Sequence, residues 1–144
     1  MRALSTILEK VFPVEAGAFE SAGEASMTIK RTLKKLGVDV AVLRQLSVAS
    51  YEVELNLVIH SMGGTLTLMV DPDKITLISK DVGPGIPDID KAMTEGYSTA
   101  SEEARSLGFG AGMGLPNMKR NASTFDITSE VGVGTCITMT FALH

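Results

Sequence analysis

The sequence predicts an α+β domain built as a two-layer α/β sandwich, with helices covering one face of a mixed, mostly antiparallel sheet. Three observations predict it. Two helical patterns follow one another between Ala16 and Ser61, the hydrophobic period then switches from helical to alternating, and Asp71-Pro72-Asp73 supplies turn chemistry between two of the alternating segments. About two major helices and four or five strands make the sum, which is the element content of such a layered fold. With 144 residues the chain suits one domain spanning 1–144 around one core.

Each element follows from local chemistry. Leu8 to Val14 reads as a short first strand, and the Ala16-Gly17 break leads into a polar-apolar segment ending at Gly37. There Ile29, Leu33 and Leu36 recur at helix spacing, Glu20 and Glu24 precede Lys30, Arg31, Lys34 and Lys35, and Gly37 stands where a C-terminal cap falls. The basic run is most simply a solvated helix face, and the internal Gly23 weakens the first half of the helix. A second helical pattern runs from about Val40 to Ser61 and stops at Met62-Gly63-Gly64. Thr65–Val70 and Ile75–Lys80 then form an antiparallel hairpin. The stretch from Val82 to Gly114 carries most of the glycine punctuation and little periodicity, too long for an ordinary connector, so a functional loop or lid is expected at about 95–114. Leu115 to Asn121 reads as a short helix with Pro116 tolerated in its first turn, and strands at Thr124–Ser129 and Thr135–Phe141 flank Val131-Gly132-Val133-Gly134.

Composition removes several function classes. At 44% hydrophobic and 21% charged residues the chain is of the globular type, neither disordered nor collagenous. Thirteen Lys+Arg against seventeen Asp+Glu give a net charge of −4, which argues against binding nucleic acid by overall electrostatic attraction, and no nucleic-acid partner is expected. The single cysteine, Cys136, allows neither an internal disulfide nor a Cys-based zinc site, which suits a reducing compartment, and the expectation is the cytoplasm. No apolar run approaches the roughly eighteen residues that span a bilayer, and Met1–Lys10 lacks a signal-peptide core, so no membrane partner is expected.

Chemistry concentrates in three places. On the second helix Glu52, Asn56 and His60 are each four residues apart and stack as a polar stripe, while Tyr51, Leu55, Val58, Ile59 and Met62 fall on the neighbouring face. Taken alone, Glu52 and Asn56 are more often ordinary solvated residues, and His60 beside a core face is more often structural than functional. Directly after the hairpin, Asp81-Val82-Gly83-Pro84-Gly85-Ile86 puts a carboxylate at a strand end before two glycines. Such a carboxylate accepts hydrogen bonds from an amino group, and a site built around that partner rejects ligands lacking it. Gly83 and Gly85 let backbone approach a flat ring or take φ > 0, although a plain Gly-Pro turn uses the same residues. Finally, Gly108-Phe109-Gly110-Ala111-Gly112-Met113-Gly114 places glycine at every second position before a helix start, which suits phosphate binding. Met113 stands where a dinucleotide GxGxxG needs its last glycine, and no P-loop motif exists.

The order ExxxN on a helix, DxGxG after a strand, GxGxGxG before a helix, then Gly132-Val133-Gly134-Thr135 resembles the Bergerat-fold, or GHKL, ATPases. Within that superfamily Glu95-Gly96-Tyr97-Ser98-Thr99 and Gly112-Met113-Gly114-Leu115-Pro116-Asn117-Met118-Lys119-Arg120 resemble the bacterial anti-sigma factor and switch-protein serine kinases. The resemblance covers about Val40 to Phe141. It implies that ATP or ADP binds with Mg2+, that Asp81 contacts the adenine amino group, and that Asn56 ligates the magnesium. It also implies that Glu52 takes the proton from the substrate hydroxyl as the catalytic residue. Gly83, Gly85 and Ile86 match the first glycine box, Gly110, Gly112, Met113, Gly114 and Leu115 the phosphate-side lid, and Thr135 the residue near the nucleotide after the last glycine pair.

Two departures stand out. Where sporulation-type anti-sigma kinases carry an arginine, this chain has Gly110, and Arg105, Lys119 and Arg120 are the candidate substitutes. The Ala100–Leu107 insertion lengthens the lid, and Thr99-Ala100-Ser101-Glu102 reads either as a capping box of a short helix or as part of a surface loop. The resemblance therefore implies a serine/threonine protein kinase acting on a small partner protein, an antagonist-like substrate or a sigma factor. The alternative is a nucleotide-gated binding module with little catalysis. Related proteins often dimerise, and a homodimer is expected. Cys136, in a strand pattern with Ile137, Met139 and Phe141, reads as packed or edge-facing.

Overall fold

The computed structural model describes residues 7–94 and 114–143. In chain order they form β1 (Leu8–Val14), one turn of 3-10 helix (Phe19–Ser21), α1 (Glu24–Lys35), α2 (Val40–His60), β2 (Gly64–Val70), β3 (Lys74–Asp81), the short α3 (Ile89–Ala92), α4 (Gly114–Asn121), β4 (Thr124–Glu130) and β5 (Gly134–Ala142). The expected order of the two major helices and five strands holds, with α1 starting well after the Ala16-Gly17 break and with the 3-10 turn and α3 as additions to it. The glycine-rich segment expected as a lid, with Gly110, Gly112, Met113, Arg105 and the Thr99–Glu102 capping box, lies outside the described residues.

The five strands form one sheet in the order β1-β2-β3-β5-β4, and every neighbouring pair is antiparallel. The sheet expected as mixed is thus antiparallel throughout the described strands. Alternation decides which face is covered. Leu66, Leu68, Val70, Ile75, Leu77, Ile137, Met139 and Phe141 are buried on one face, where the register sets Leu77 opposite both Leu68 and Met139. Ile29 and Leu33 of α1, Leu46, Val53 and Leu57 of α2, and Leu115 and Met118 of α4 close over that face. Cys136 belongs to the opposite face, opposite Lys80 and Thr128.

Local chemistry sets the helix ends. The Asp39 side chain accepts the Ala41 N–H at 3.1 Å and so caps α2. Past α1, Gly37 N–H reaches Lys34 O and Val38 N–H reaches Leu33 O, the double closure that a left-handed residue at Gly37 (φ 82) allows. Gly23 proves to be the N-cap of α1, which is why the helix starts only at Glu24. In the β2–β3 turn, Asp71 Oδ1 accepts the N–H groups of Asp73 and Lys74 at 2.8 and 2.9 Å, bonds that hold the Asp71 carboxyl below its ordinary pKa.

On α2 the burial departs from a single apolar stripe. Leu55 and Val58 are buried as expected, whereas Tyr51 and Met62 are 41% and 74% exposed, and Leu43, Leu46, Ala49, Val53 and Leu57 are buried instead. The helix lies between α1, α4 and the sheet, so apolar residues are needed on more than one side. Among the described residues, no helix is long and apolar enough to cross a membrane.

Candidate functional site

Asp81 ends β3 at the point where three strands converge. Its Oδ1 accepts the backbone N–H of Thr135 at 3.0 Å, its sole hydrogen bond among the described residues, which leaves Oδ2 to accept from a ligand. Half-burial pushes the Asp81 carboxyl above its ordinary pKa, against the pull of the Thr135 bond. The backbone closes round this side chain because its neighbours lack side chains of their own. A Cβ at Gly134 would stand 2.2 Å from Asp81 O, and one at Gly64 would stand 2.8 Å from Asp81 Cα.

The Asp81–Ile86 loop is stitched on two sides. Toward β4 and β5, Gly83 N–H donates to Val133 O at 3.0 Å, Gly132 N–H to Pro84 O at 2.8 Å, and Ile86 N–H to Ser129 Oγ at 2.7 Å. Gly85 holds φ +74 with its Cα facing Glu130 backbone, where a Cβ would approach to 2.5 Å. Its glycine is required by protein backbone here. Toward α2, Met62 N–H donates to Val82 O at 2.7 Å and Val82 N–H to Gly63 O at 3.1 Å. These bonds fasten the C-terminal end of α2 beside Asp81.

That junction turns α2 into a ruler. At 1.5 Å per residue, Asn56 lies about 6 Å and Glu52 about 12 Å along the axis from His60. Counted along α2 from the end fastened beside Asp81, Asn56 comes one turn in and Glu52 a further turn on, and all three residues are half-buried. Asn56 makes no side-chain hydrogen bond to any described residue. Glu52 Oε2 accepts from Asn117 Nδ2 of α4 at 2.8 Å, and a Cβ placed on Gly114 would lie 3.8 Å from Glu52 Oε1. Burial holds His60 below its ordinary pKa, consistent with a neutral imidazole against the core.

The remaining expected residues sort by what they offer. Thr135 is buried, and its hydroxyl shares a 2.9 Å hydrogen bond with Ser129. Gly114 and Leu115 open α4, but the Leu115 side chain belongs to the core, so only its backbone is available to a ligand. Ile86 likewise packs against the core. A cavity of about 310 Å³ reaches Asp81 and Thr135 from the β4–β5 side, bordered also by Ser129, Lys80 and Cys136, and neither Glu52 nor Asn56 lines it. Two polar residues escaped the sequence reading. Ser129 ties the Asp81–Ile86 loop to Thr135, and Asn117 joins α4 to Glu52. Both pairings span long sequence separations that no local pattern reports.

The chemistry of the donors fits a magnesium nucleotide. Asn56 offers an amide oxygen of the hard type magnesium takes beside phosphate oxygens, and Asp81 keeps a carboxylate oxygen for an amino group.

Serine/threonine-protein kinase RsbT of Bacillus subtilis is 31% identical over 110 residues, covering 74% of this chain and 77% of that protein. The anti-sigma F factor of Thermoanaerobacter sp. (strain X514) is 32% identical over 103 residues, 68% of each chain. A chain in the crystal structure of the SiaB-SiaC complex from Pseudomonas aeruginosa has the same fold, with a TM-score of 0.52 at 12% identity over 98% of this chain and 92% of that one. Residues 41–144 match the family described as histidine kinase-, DNA gyrase B-, and HSP90-like ATPase. With a half-buried carboxylate at the end of β3, ExxxN on α2, and this match over most of its length, the chain belongs to the histidine kinase-, DNA gyrase B- and HSP90-like ATPase family and is an ATP-binding protein.

Proposed function

We propose that the protein is a serine/threonine protein kinase that transfers the γ-phosphate of magnesium ATP to a small regulatory partner protein. The observation that carries this reading is the hydrogen-bonded junction of α2 with the β3 loop, from which Asn56 and then Glu52 follow at successive turns of α2, an order that suits a nucleotide with its base at Asp81, its phosphates near Asn56 and the acceptor near Glu52. The similarity to a protein named serine/threonine-protein kinase supports the reaction, and the similarity to anti-sigma F factors supports a protein partner of the antagonist or sigma type. In this reading the protein works in the cytoplasm as a homodimer.

Asp81 takes an amino N–H of adenine on Oδ2 while Thr135 N–H holds Oδ1, so the carboxylate cannot swing away from the ring. Gly83, Gly85, Ile86 and Thr135 form the walls round it. Gly110, Gly112, Met113, Gly114 and Leu115 contribute backbone N–H groups to the phosphates. Asn56 would hold a magnesium ion through its amide oxygen, and that ion would supply charge neutralisation at the phosphates. Glu52 accepts the proton of the partner's serine or threonine hydroxyl as that oxygen attacks the γ-phosphorus and the bond to the departing ADP breaks.

Replacing Glu52 by Gln keeps the size and the Asn117 contact region but removes the base. Transfer of labelled phosphate from ATP to the partner should fall about 100-fold or more, with ADP affinity nearly intact. Undiminished transfer by Glu52→Gln refutes the role.

A further inference from the structure

We propose that Asn117 is a positioning residue for Glu52, and that Arg120 in turn fixes Asn117. This rests on the proposed role of Glu52 as the base. Asn117 and Arg120 are three residues apart on α4 and share one face of it. Arg120 Nη1 donates to Asn117 Oδ1 at 2.9 Å, and Asn117 Nδ2 donates to Glu52 Oε2 at 2.8 Å. The chemistry of the two neighbours leaves the amide one orientation. A guanidinium only donates, so the amide must turn its oxygen to Arg120, and a carboxylate only accepts, so the amide must turn its NH2 to Glu52. Flipping the amide would set donor against donor at one end and acceptor against acceptor at the other. The chain Arg120, Asn117, Glu52 therefore has a single polarity and holds the carboxylate in one rotamer.

The consequence is a division of labour between the two oxygens of Glu52. Oε2 is engaged by Asn117, while Oε1 faces the start of α4, where Gly114 presents no side chain and a Cβ would lie at 3.8 Å. Oε1 is the atom left to receive the hydroxyl proton. A base displaced by about 1 Å loses a large part of its rate, and Glu52 stands on a helix that fixes its Cα but not its χ angles. The second helix supplies that missing constraint. Neither Asn117 nor Arg120 needs to touch nucleotide or partner for this, so the role is distinct from binding. Arg120 also acquires a use that its place on the exposed side of α4 does not suggest.

A double-mutant cycle tests the assignment, with ADP release from magnesium ATP in water as the activity probe and urea unfolding as a probe that needs no turnover. The four proteins are wild type, Glu52→Gln, Asn117→Ala and the double variant. Asn117→Ala should lower the turnover number about tenfold in the wild-type background, leave KM and ADP affinity within about twofold, and add nothing once Glu52 is Gln. Asn117→Asp should be slower than Asn117→Ala, because a second carboxylate then faces Glu52. In urea, a second cycle of wild type, Glu52→Ala, Asn117→Ala and Glu52→Ala/Asn117→Ala should show non-additive midpoint shifts.

Equal losses from Asn117→Ala in both backgrounds, or midpoint shifts that simply add, overturn the positioning role and leave Asn117 a structural residue. Full turnover by Asn117→Ala beside a crippled Glu52→Gln also overturns it, while the base itself survives. Full turnover by Glu52→Gln is the separable outcome in which the proposed base fails and the positioning role falls with it.

Discussion

Glu54 Oε1 accepts the backbone N–H of Ser26 at 2.8 Å, joining the middle of α2 to the first turn of α1. The same carboxylate takes Gly23 N–H at 3.0 Å and Ala25 N–H at 3.2 Å on Oε2. Gly23 brings no capping side chain of its own, so the orphan donors of α1 are satisfied by the neighbouring helix. A buried carboxylate two residues from Glu52 and Asn56 thereby registers α1 against α2.

Replacing Glu54 by Gln leaves one acceptor oxygen for three donors and turns an NH2 toward the others. Unfolding free energy should drop by about 1–3 kcal/mol, read from urea denaturation. An unchanged midpoint contradicts the capping role.

Gly134 is where backbone meets backbone beside Asp81, and Gly132 two residues away meets nothing within 4 Å. Gly134→Ala should cost about 3 kcal/mol or more, because the nearest atom is main chain and cannot step aside. At Gly132 only the positive φ of 81 opposes alanine, at about 1–2 kcal/mol. Thermal melts of the two variants should rank in that order, and the reverse ranking contradicts the close packing round Asp81.

Asn56→Ala removes the amide oxygen offered to magnesium. Affinity for ATP in magnesium should fall at least tenfold, while affinity in excess chelator should stay within twofold of wild type. Equal losses in both conditions contradict a role at the metal.

The pH dependence of stability carries two opposite signs. Burial lowers the His60 pKa, so the folded protein favours neutral imidazole. The stability this contributes is complete above the ordinary value of 6.5 and is lost as pH falls through the lowered one. Burial raises the Asp81 pKa above its ordinary 3.8, so its contribution is complete below that value and is lost as pH rises through the raised one. Melting curves between pH 4 and 8 should show His60→Gln flattening the acid-side fall that begins near 6.5. Asp81→Asn should remove a decline that runs the other way just above pH 4. Unaltered profiles for both variants contradict these assignments.

Local chemistry made much of this legible. Asp71-Pro72-Asp73 closes the hairpin and Gly37 ends α1, each by bonds reaching only a few residues. Alternation in β2, β3 and β5 named the covered face, because a strand buried on one side shows its register in sequence. Glu52, Asn56 and Asp81 stood out through residue type and spacing. The rest depended on pairings far apart in the chain. Glu54 looked like any helix residue until Ser26 came to it from 28 positions away, and Asn117 reached Glu52 across 65. Burial on several sides of α2 left its covered faces unread for the same reason, since three neighbours each claim one.

The reading of Asp81 is tested most directly by calorimetric titration of the wild type and Asp81→Asn with ADP and with GDP in magnesium. In the variant, the amide oxygen keeps the Thr135 N–H and its NH2 then faces the adenine amino group, donor against donor. Wild type should prefer ADP by at least about tenfold, and Asp81→Asn should weaken ADP by about 10–100-fold, the worth of one charge-assisted hydrogen bond, while its fold is unchanged. Equal wild-type affinity for ADP and GDP, or ADP binding untouched by the substitution, contradicts the account.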